Sequence, residues 1–187
     1  CGTHRLVIRV DNRIKYSVGM LAHSVTEHTQ SNWNGMIGKL ELRAEDPVFI
    51  SDMQIYPNLS EKSAAVKMAV RNCSGQPVRG EIFLLVKGSC GQASGETIKK
   101  EFFCNGDSAK VEIKYPMGDS VQLWDEFTPQ VYRMAARMEA TSRDDWYNSE
   151  RDVLFGMREF KTTGTNFTIN GRRTFLRGTL ECCIFPQ

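Results

Sequence analysis

The sequence has no marked excess of charge of either sign and no long hydrophobic run. Its 187 residues include 24 lysines and arginines against 22 aspartates and glutamates, which gives a formal net charge of +2. Nucleic acids and anionic membranes select strongly basic surfaces, so we expect neither as a partner. The apolar runs are far shorter than the roughly 18 residues that a membrane-spanning helix needs.

Motifs for metal binding and for nucleophilic catalysis are also lacking. The six cysteines include no Cys-x-x-Cys pair, and we expect neither a metal nor another cofactor. His23, Glu27 and His28 share a polar segment, but their spacing fits no ordinary zinc site. No Gly-x-Ser-x-Gly elbow is present, which leaves a Ser-His-Asp triad without support.

Paired carboxylates suitable for sugar chemistry are missing as well. Glycoside cleavage requires two carboxylates that face each other. The adjacent acidic pairs at 125–126 and 144–145 do not meet this need, because neighbours on a strand point to opposite faces. We therefore expect no catalytic residue in this chain.

What the sequence does contain is period-2 alternation, which predicts β-strands. The alternation is clearest at 66–71, 82–86, 110–115 and 132–139. The last run has the alanine and methionine content of a helix, but its polar residues fall at every second position, which favours a strand. Turn residues separate about seven such runs between 48 and 160. Their number and spacing predict an all-β chain with an immunoglobulin-like β-sandwich over residues 45–160.

Two cysteines, Cys73 and Cys104, fall where they could face each other across such a sandwich. No tryptophan lies between them as it does in antibody domains, and free buried thiols are the preferred interpretation. The cysteines leave the cellular compartment open.

Shorter pieces flank the sandwich. Residues 1–44 combine alternating runs at 6–10 and 36–42 with a polar segment, and residues 161–187 hold a hairpin turning at Asn170-Gly171, the preferred type I′ pair. Neither piece can bury a core alone. Both ends of the chain are apolar or strand-like, so we expect them to lie inside a longer protein.

Three stretches carry recognisable motifs. They are residues 32–42 (NWNGMIGKLEL), residues 123–132 (LWDEFTPQVY), and residues 155–160 (FGMREF), followed by 167–172 (FTINGR) and 175–179 (FLRGT). In this order and spacing they resemble the family 2 glycoside hydrolases, the family of β-galactosidase and β-glucuronidase. Three features depart from the family pattern: Lys39 replaces an arginine, only Pro129 of two prolines is kept, and residues 180–183 (LECC) replace an Asn-Arg-His-Glu-like continuation.

The resemblance implies three domain pieces: the end of a sugar-binding jelly roll (1–44), the sandwich (45–160), and the hairpin and first strand of a catalytic TIM barrel (161–187). It implies that the parent protein is a retaining β-galactosidase or β-glucuronidase type enzyme that hydrolyses O-glycosidic bonds, with its catalytic glutamates outside this chain. The partners implied are a carbohydrate substrate and the remaining jelly-roll and barrel domains. A carbohydrate-binding or adhesion module of a non-enzymatic surface protein is the alternative.

The resemblance also places the polar segment before Trp33 at the mouth of the barrel. Sugar hydroxyls need donors and acceptors, and sugar C–H faces stack on aromatic rings. An ordinary solvated loop is the alternative for this segment. The predicted substrate-proximal residues are His28, Gln30, Asn32, Trp33 and Arg177.

A structural role is predicted for the motif residues near the end of the sandwich. Trp124, Pro129 and Tyr132 suit a rigid crossover that packs on the sandwich end. Gly156 indicates a bulge or close packing. Hydrogen bonding at a domain junction, rather than catalysis, is expected for Arg158 and Glu159.

Overall fold

The computed structural model describes residues 3–11, 13, 17, 19–21, 28, 35–36, 38–88, 91 and 94–179. The chain divides into one compact unit, Ala44–Arg177, and a second formed by Cys1–Arg43 and Gly178–Gln187. In the second unit no described residue lies in a strand, so the strands predicted at 6–10 and 36–42 are not seen. The physical reason is that a strand requires a hydrogen-bonded neighbour, and none of the described residues supplies one; Leu6 and Leu42 are largely exposed.

The described part of the unit Ala44–Arg177 folds into ten antiparallel strands and contains no helix. The strands are β1 (Val48–Asn58), β2 (Ser63–Asn72), β3 (Val78–Lys87), β4 (Ile98–Cys104), β5 (Ser108–Pro116), β6 (Tyr132–Ser142), β7 (Asp145–Phe155), β8 (Phe160–Thr163), β9 (Asn166–Ile169) and β10 (Arg172–Thr174).

The first seven strands form two sheets that share one core. One sheet has the order β1-β2-β5 and the other has the order β4-β3-β6-β7. Alternate side chains of both sheets are buried in that core, which includes Val66, Ile82, Tyr115 and Met138. β6 is a strand whose every second residue is buried, as its polar spacing predicts. The all-β sandwich predicted from the sequence is confirmed.

Buried polar groups link the two sheets. The hydroxyl of Tyr115 on β5 donates to the carbonyl of Glu96 at 2.8 Å and accepts from the amide of Val86 on β3 at 3.3 Å. At the other edge, the amide of Ile50 on β1 donates to the buried Ser149 hydroxyl on β7 at 3.1 Å. The β1–β2 register shifts between Ile50 and Asp52. β1 lies at the edge of its sheet, where amides on the outer side have no ladder partner of their own.

The last three strands form a small separate sheet in the order β10-β9-β8. Asn170 and Gly171 connect β9 to β10 with φ values of 51° and 76°. Two positive φ values identify the type I′ turn that the sequence predicts. The sequence reasoning missed β8, whose Phe160 ring stacks on the Phe167 ring of β9 with centroids 5.4 Å apart.

The two cysteines of the sandwich do not behave alike. Cys104 is a free buried thiol, as predicted, but Cys73 is free and exposed. Cys73 follows the last residue of β2, and a position beyond a strand end no longer alternates into the core.

The inter-sheet role of Tyr115 gives a stability prediction. Tyr115→Phe removes a buried hydroxyl with two partners, so we expect the free energy of unfolding to fall by about 1–3 kcal/mol in urea titrations. Tyr56→Phe is the matched control, because the Tyr56 ring is 50% exposed and its hydroxyl contacts only the exposed Gln54 side chain. That control should change stability by less than about 0.5 kcal/mol. Equal losses in the two variants would contradict the assignment.

Candidate functional site

The structure describes two of the five predicted substrate-proximal residues. Gln30, Asn32 and Trp33 lie outside the described residues. His28 and Arg177 are described and exposed, and no described residue forms an ion pair with either of them. Their assignment to the sugar stays a prediction.

A second group of residues is brought together at the end of β7, where the sandwich meets the small sheet. We call it the junction cluster, and its members are Trp124, Asp125, Gly156, Arg158, Asn170 and Arg172. They come from three segments of the chain: the connection between β5 and β6, the residues that follow β7, and the β9–β10 turn together with the first residue of β10.

Close packing of Trp124 on Gly156 brings the first two segments together. A Cβ atom at Gly156 would lie 2.8 Å from the Trp124 Cβ and 2.9 Å from its Cγ, so a side chain at this position would collide with the tryptophan. The Trp124 amide also donates to the carbonyl of Met157 at 2.9 Å. The close packing predicted at Gly156 is confirmed, although Gly156 comes just after β7 rather than within a strand.

Arg158 and Glu159 contribute structural contacts at the same place. The Arg158 guanidinium carbon lies 4.5 Å from the centroid of the Trp124 ring, a favourable cation–π geometry. The Glu159 carboxylate pairs with Lys161 at 2.6 Å, while its backbone amide and carbonyl both bond to Asn170. Glu159 thus forms hydrogen bonds at this place, as the sequence predicts, whereas the contact shown for Arg158 is with an aromatic ring.

Asn170 fastens the β9–β10 turn to the two other segments. Its amide donates to the Glu159 carbonyl at 2.8 Å, and its side-chain oxygen accepts from the Glu159 amide at 2.9 Å. Its side-chain nitrogen donates to the Trp124 carbonyl at 2.9 Å. Asparagine is suited to this position because it tolerates positive φ and carries both a donor and an acceptor.

Asp125 supports the cluster with a charged contact. Its carboxylate accepts from the amides of Thr128 at 2.8 Å and Phe127 at 2.9 Å, and from Arg172 at 3.2 Å. The Thr128 and Phe127 amides, followed by the Arg172 charge, hold the pKa of Asp125 below its usual value. Because the pKa is lowered, the contacts of the ionised Asp125 carboxylate stabilise the folded protein fully above the ordinary aspartate pKa. This stabilisation is lost as the pH falls through the pKa that Asp125 has in the folded protein.

The carboxylate of Asp125 is occupied by the amides of its own turn and by Arg172. Across the described ranges, no group of three or more histidine, cysteine, aspartate or glutamate side chains could hold a metal ion.

No helix among these residues has the length and hydropathy to cross a bilayer.

Comparison with known families decides where this fold belongs. Residues 48–158, more than half of the chain, match the model of the glycosyl hydrolases family 2. The chain belongs to glycosyl hydrolase family 2. The resemblance drawn from the motifs is thereby confirmed. No curated protein sequence matches the chain.

Solved structures share the fold of this family 2 chain. A β-glucuronidase from Bacteroides uniformis superposes with a TM-score of 0.59 at 18% identity, over 72% of this chain and 17% of that one. A β-galacturonidase of family 2 from Eisenbergiella tayi gives 0.57 at 17% identity, over 69% and 21%. A family 2 member from Bacteroides cellulosilyticus gives 0.56 at 16% identity, over 72% and 19%. The chain thus spans only about a fifth of the length of these relatives.

The sequence reasoning identified the turn at Asn170 but not what its side chain does. Asn-Gly predicts a type I′ turn. The side-chain amide of asparagine can both donate and accept hydrogen bonds, so the dipeptide does not indicate which groups it bonds to. The partners are remote in sequence: Trp124 is 46 residues away, and the Asp125–Arg172 pair is separated by 47. The motif around Trp124 signals that its residues are important without indicating which atoms they bind.

The Asn170 contacts predict a local loosening on substitution. Asn170→Gly keeps the positive φ but loses both side-chain hydrogen bonds, and Asn170→Asp also places a carboxylate against the Trp124 carbonyl. In both variants we expect faster trypsin cleavage at Lys161, Arg172 and Arg173, while the sandwich stays intact by circular dichroism.

Asn105→Asp is the matched control for this comparison. Asn105 also precedes a glycine, in the bend between β4 and β5, but it is exposed and its side chain has no hydrogen bond with a described residue. Cleavage of this variant should follow the wild type. Wild-type cleavage rates in both Asn170 variants would show that the side chain does not fasten the hairpin.

Proposed function

We propose that this chain is the non-catalytic β-sandwich part of a retaining glycoside hydrolase that cleaves O-glycosidic bonds, of the β-galactosidase or β-glucuronidase type. Its role is to hold the sugar-binding domain and the catalytic domain of the same protein in a fixed orientation. The junction cluster is the single observation that carries this proposal. A hairpin fastened by three hydrogen bonds from one residue gives a following domain a defined starting direction.

The proposal includes an immunoglobulin-like type for the sandwich. Strands A, B and E of that fold share one sheet, and strands C, F and G share the other. The order β1-β2-β5 opposite β4-β3-β6-β7 supports the same assignment, with β4 added at the outer edge of β3. In this arrangement the chain enters the sandwich at β1 and leaves it at β7.

The domain assignment completes the proposal. Residues 1–44 belong to the jelly roll, residues 45–160 to the sandwich and residues 161–187 to the entry of the barrel. His28, Gln30, Asn32, Trp33 and Arg177 approach the sugar in the intact enzyme. Wild-type kinetics in full-length His28→Ala and Trp33→Ala, with the fold retained, would contradict this placement of the polar segment.

The positioning role can be tested in the full-length protein. Asn170→Asp should lower kcat/KM for nitrophenyl β-glycosides by roughly tenfold or more, because a small misplacement of reacting groups is costly even when it arises far from the chemistry. Asn105→Asp should keep the wild-type value, and both proteins should retain the wild-type circular dichroism spectrum. The isolated chain should give no turnover.

Two results would count against this function. One is turnover by the isolated chain that is abolished when one of its own carboxylates is replaced. The other is an unchanged kcat/KM in the folded Asn170→Asp enzyme, which would mean that fastening the hairpin is irrelevant to activity.

A further inference from the structure

The outward face of the four-stranded sheet carries a row of side chains that neither the core nor the junction cluster uses. Phe103 on β4 pairs with Arg79 on β3, Arg79 pairs with Thr141 on β6, and Thr141 pairs with Trp146 on β7. Their neighbours in each strand alternate into the sandwich. The four side chains therefore form one row across the sheet, about 14 Å long at three strand spacings.

Two exposed aromatic rings lie at the ends of this row. Trp146 is 74% exposed and Phe103 is 54% exposed. Between them runs an open groove of about 800 Å³, which we call the outer groove; its lining includes Arg79, Glu81, Glu101, Phe103, Glu139 and Trp146. Aromatic side chains are enriched at binding surfaces relative to the rest of a protein surface.

The polar groups along the groove have hydrogen-bonding capacity to spare. The Arg79 guanidinium lies over the Phe103 ring at 5.3 Å and has no carboxylate partner among the described residues. Glu81 is paired with Lys99 and Glu139 with Arg137, each at 2.6 Å. Glu101 is directly opposite Glu81 in the register and has no salt-bridge partner within the described part of the chain. The groove thus contains one arginine and one glutamate that form no ion pair with a described residue.

This combination points to one class of ligand. Sugar hydroxyls act as both donors and acceptors, and the C–H faces of pyranose rings pack on exposed aromatic rings. Lys99 and Arg137 neutralise Glu81 and Glu139, which leaves one arginine and one glutamate without an ion pair, and this charge balance suits a neutral ligand better than an anionic one such as a uronate chain. The length of the row suits several linked rings rather than one.

We propose that the outer groove binds a neutral oligosaccharide chain, stacked on Trp146 and Phe103 and hydrogen-bonded by Arg79 and Glu101. Trp146 and Gly156 are separated by nearly the whole of β7, about 30 Å of extended strand. The groove is therefore remote from the junction cluster. Binding in the groove would give the protein a second contact with carbohydrate, and this contact would not require the junction cluster.

Affinity electrophoresis of the 187-residue chain tests this proposal. Native gels containing barley β-glucan, galactomannan or galactan supply neutral chains, and a gel containing polygalacturonate supplies an acidic one. We expect retardation in at least one neutral gel and none with polygalacturonate. Trp146→Ala and Phe103→Ala should each weaken the retardation by about tenfold or more.

Leu154→Ala is the matched control, since Leu154 is exposed on the same face of the same strand but at its other end. It should migrate like the wild type in every gel, and thermal melts of all variants should show intact folds. The proposal is overturned by no retardation in any neutral gel, by equal retardation of wild type and Trp146→Ala, or by retardation with polygalacturonate alone. Binding of an oligoarginine peptide without glycan binding would assign the groove to a basic protein partner instead.

Discussion

The absence of a side chain at Gly156 is the constraint on which the junction depends. It lets Trp124 pack against the backbone that leaves β7, where a Cβ atom would lie 2.8 Å from the tryptophan. Once Trp124 is held there, its ring faces Arg158 and its carbonyl accepts from Asn170. Three segments that are distant in sequence are thereby joined around one residue.

The small sheet shows why such fastening is needed. Its strands are four, four and three residues long, and most of their side chains are exposed. A sheet of this size buries too little apolar surface to be stable alone. The stack of Phe160 on Phe167 adds to it, but the contacts of Asn170 and Arg172 connect it to the larger core. The sandwich therefore supplies stability that the hairpin lacks.

Much of this fold could be read from the sequence because the sandwich is encoded locally. Strands such as β2 and β5 alternate buried and exposed residues with period two, and Asn170-Gly171 specifies its turn without tertiary help. β8 was missed, since a four-residue strand with every residue exposed has no buried face to produce alternation. The contacts of the junction and the row in the outer groove depend on strand register and on pairs tens of residues apart. A local sequence pattern therefore cannot predict the junction contacts or the row in the outer groove.

Amide hydrogen exchange of the 187-residue chain tests most directly whether the hairpin is a fixed extension of the sandwich. The amides of Glu159 and Asn170 are bonded across the junction, whereas the amide of Val66 lies in the central strand β2. The account predicts that the two junction amides exchange at least roughly 100-fold more slowly than in an unstructured peptide. Exchange of both at the unstructured rate, while Val66 stays protected, would contradict it.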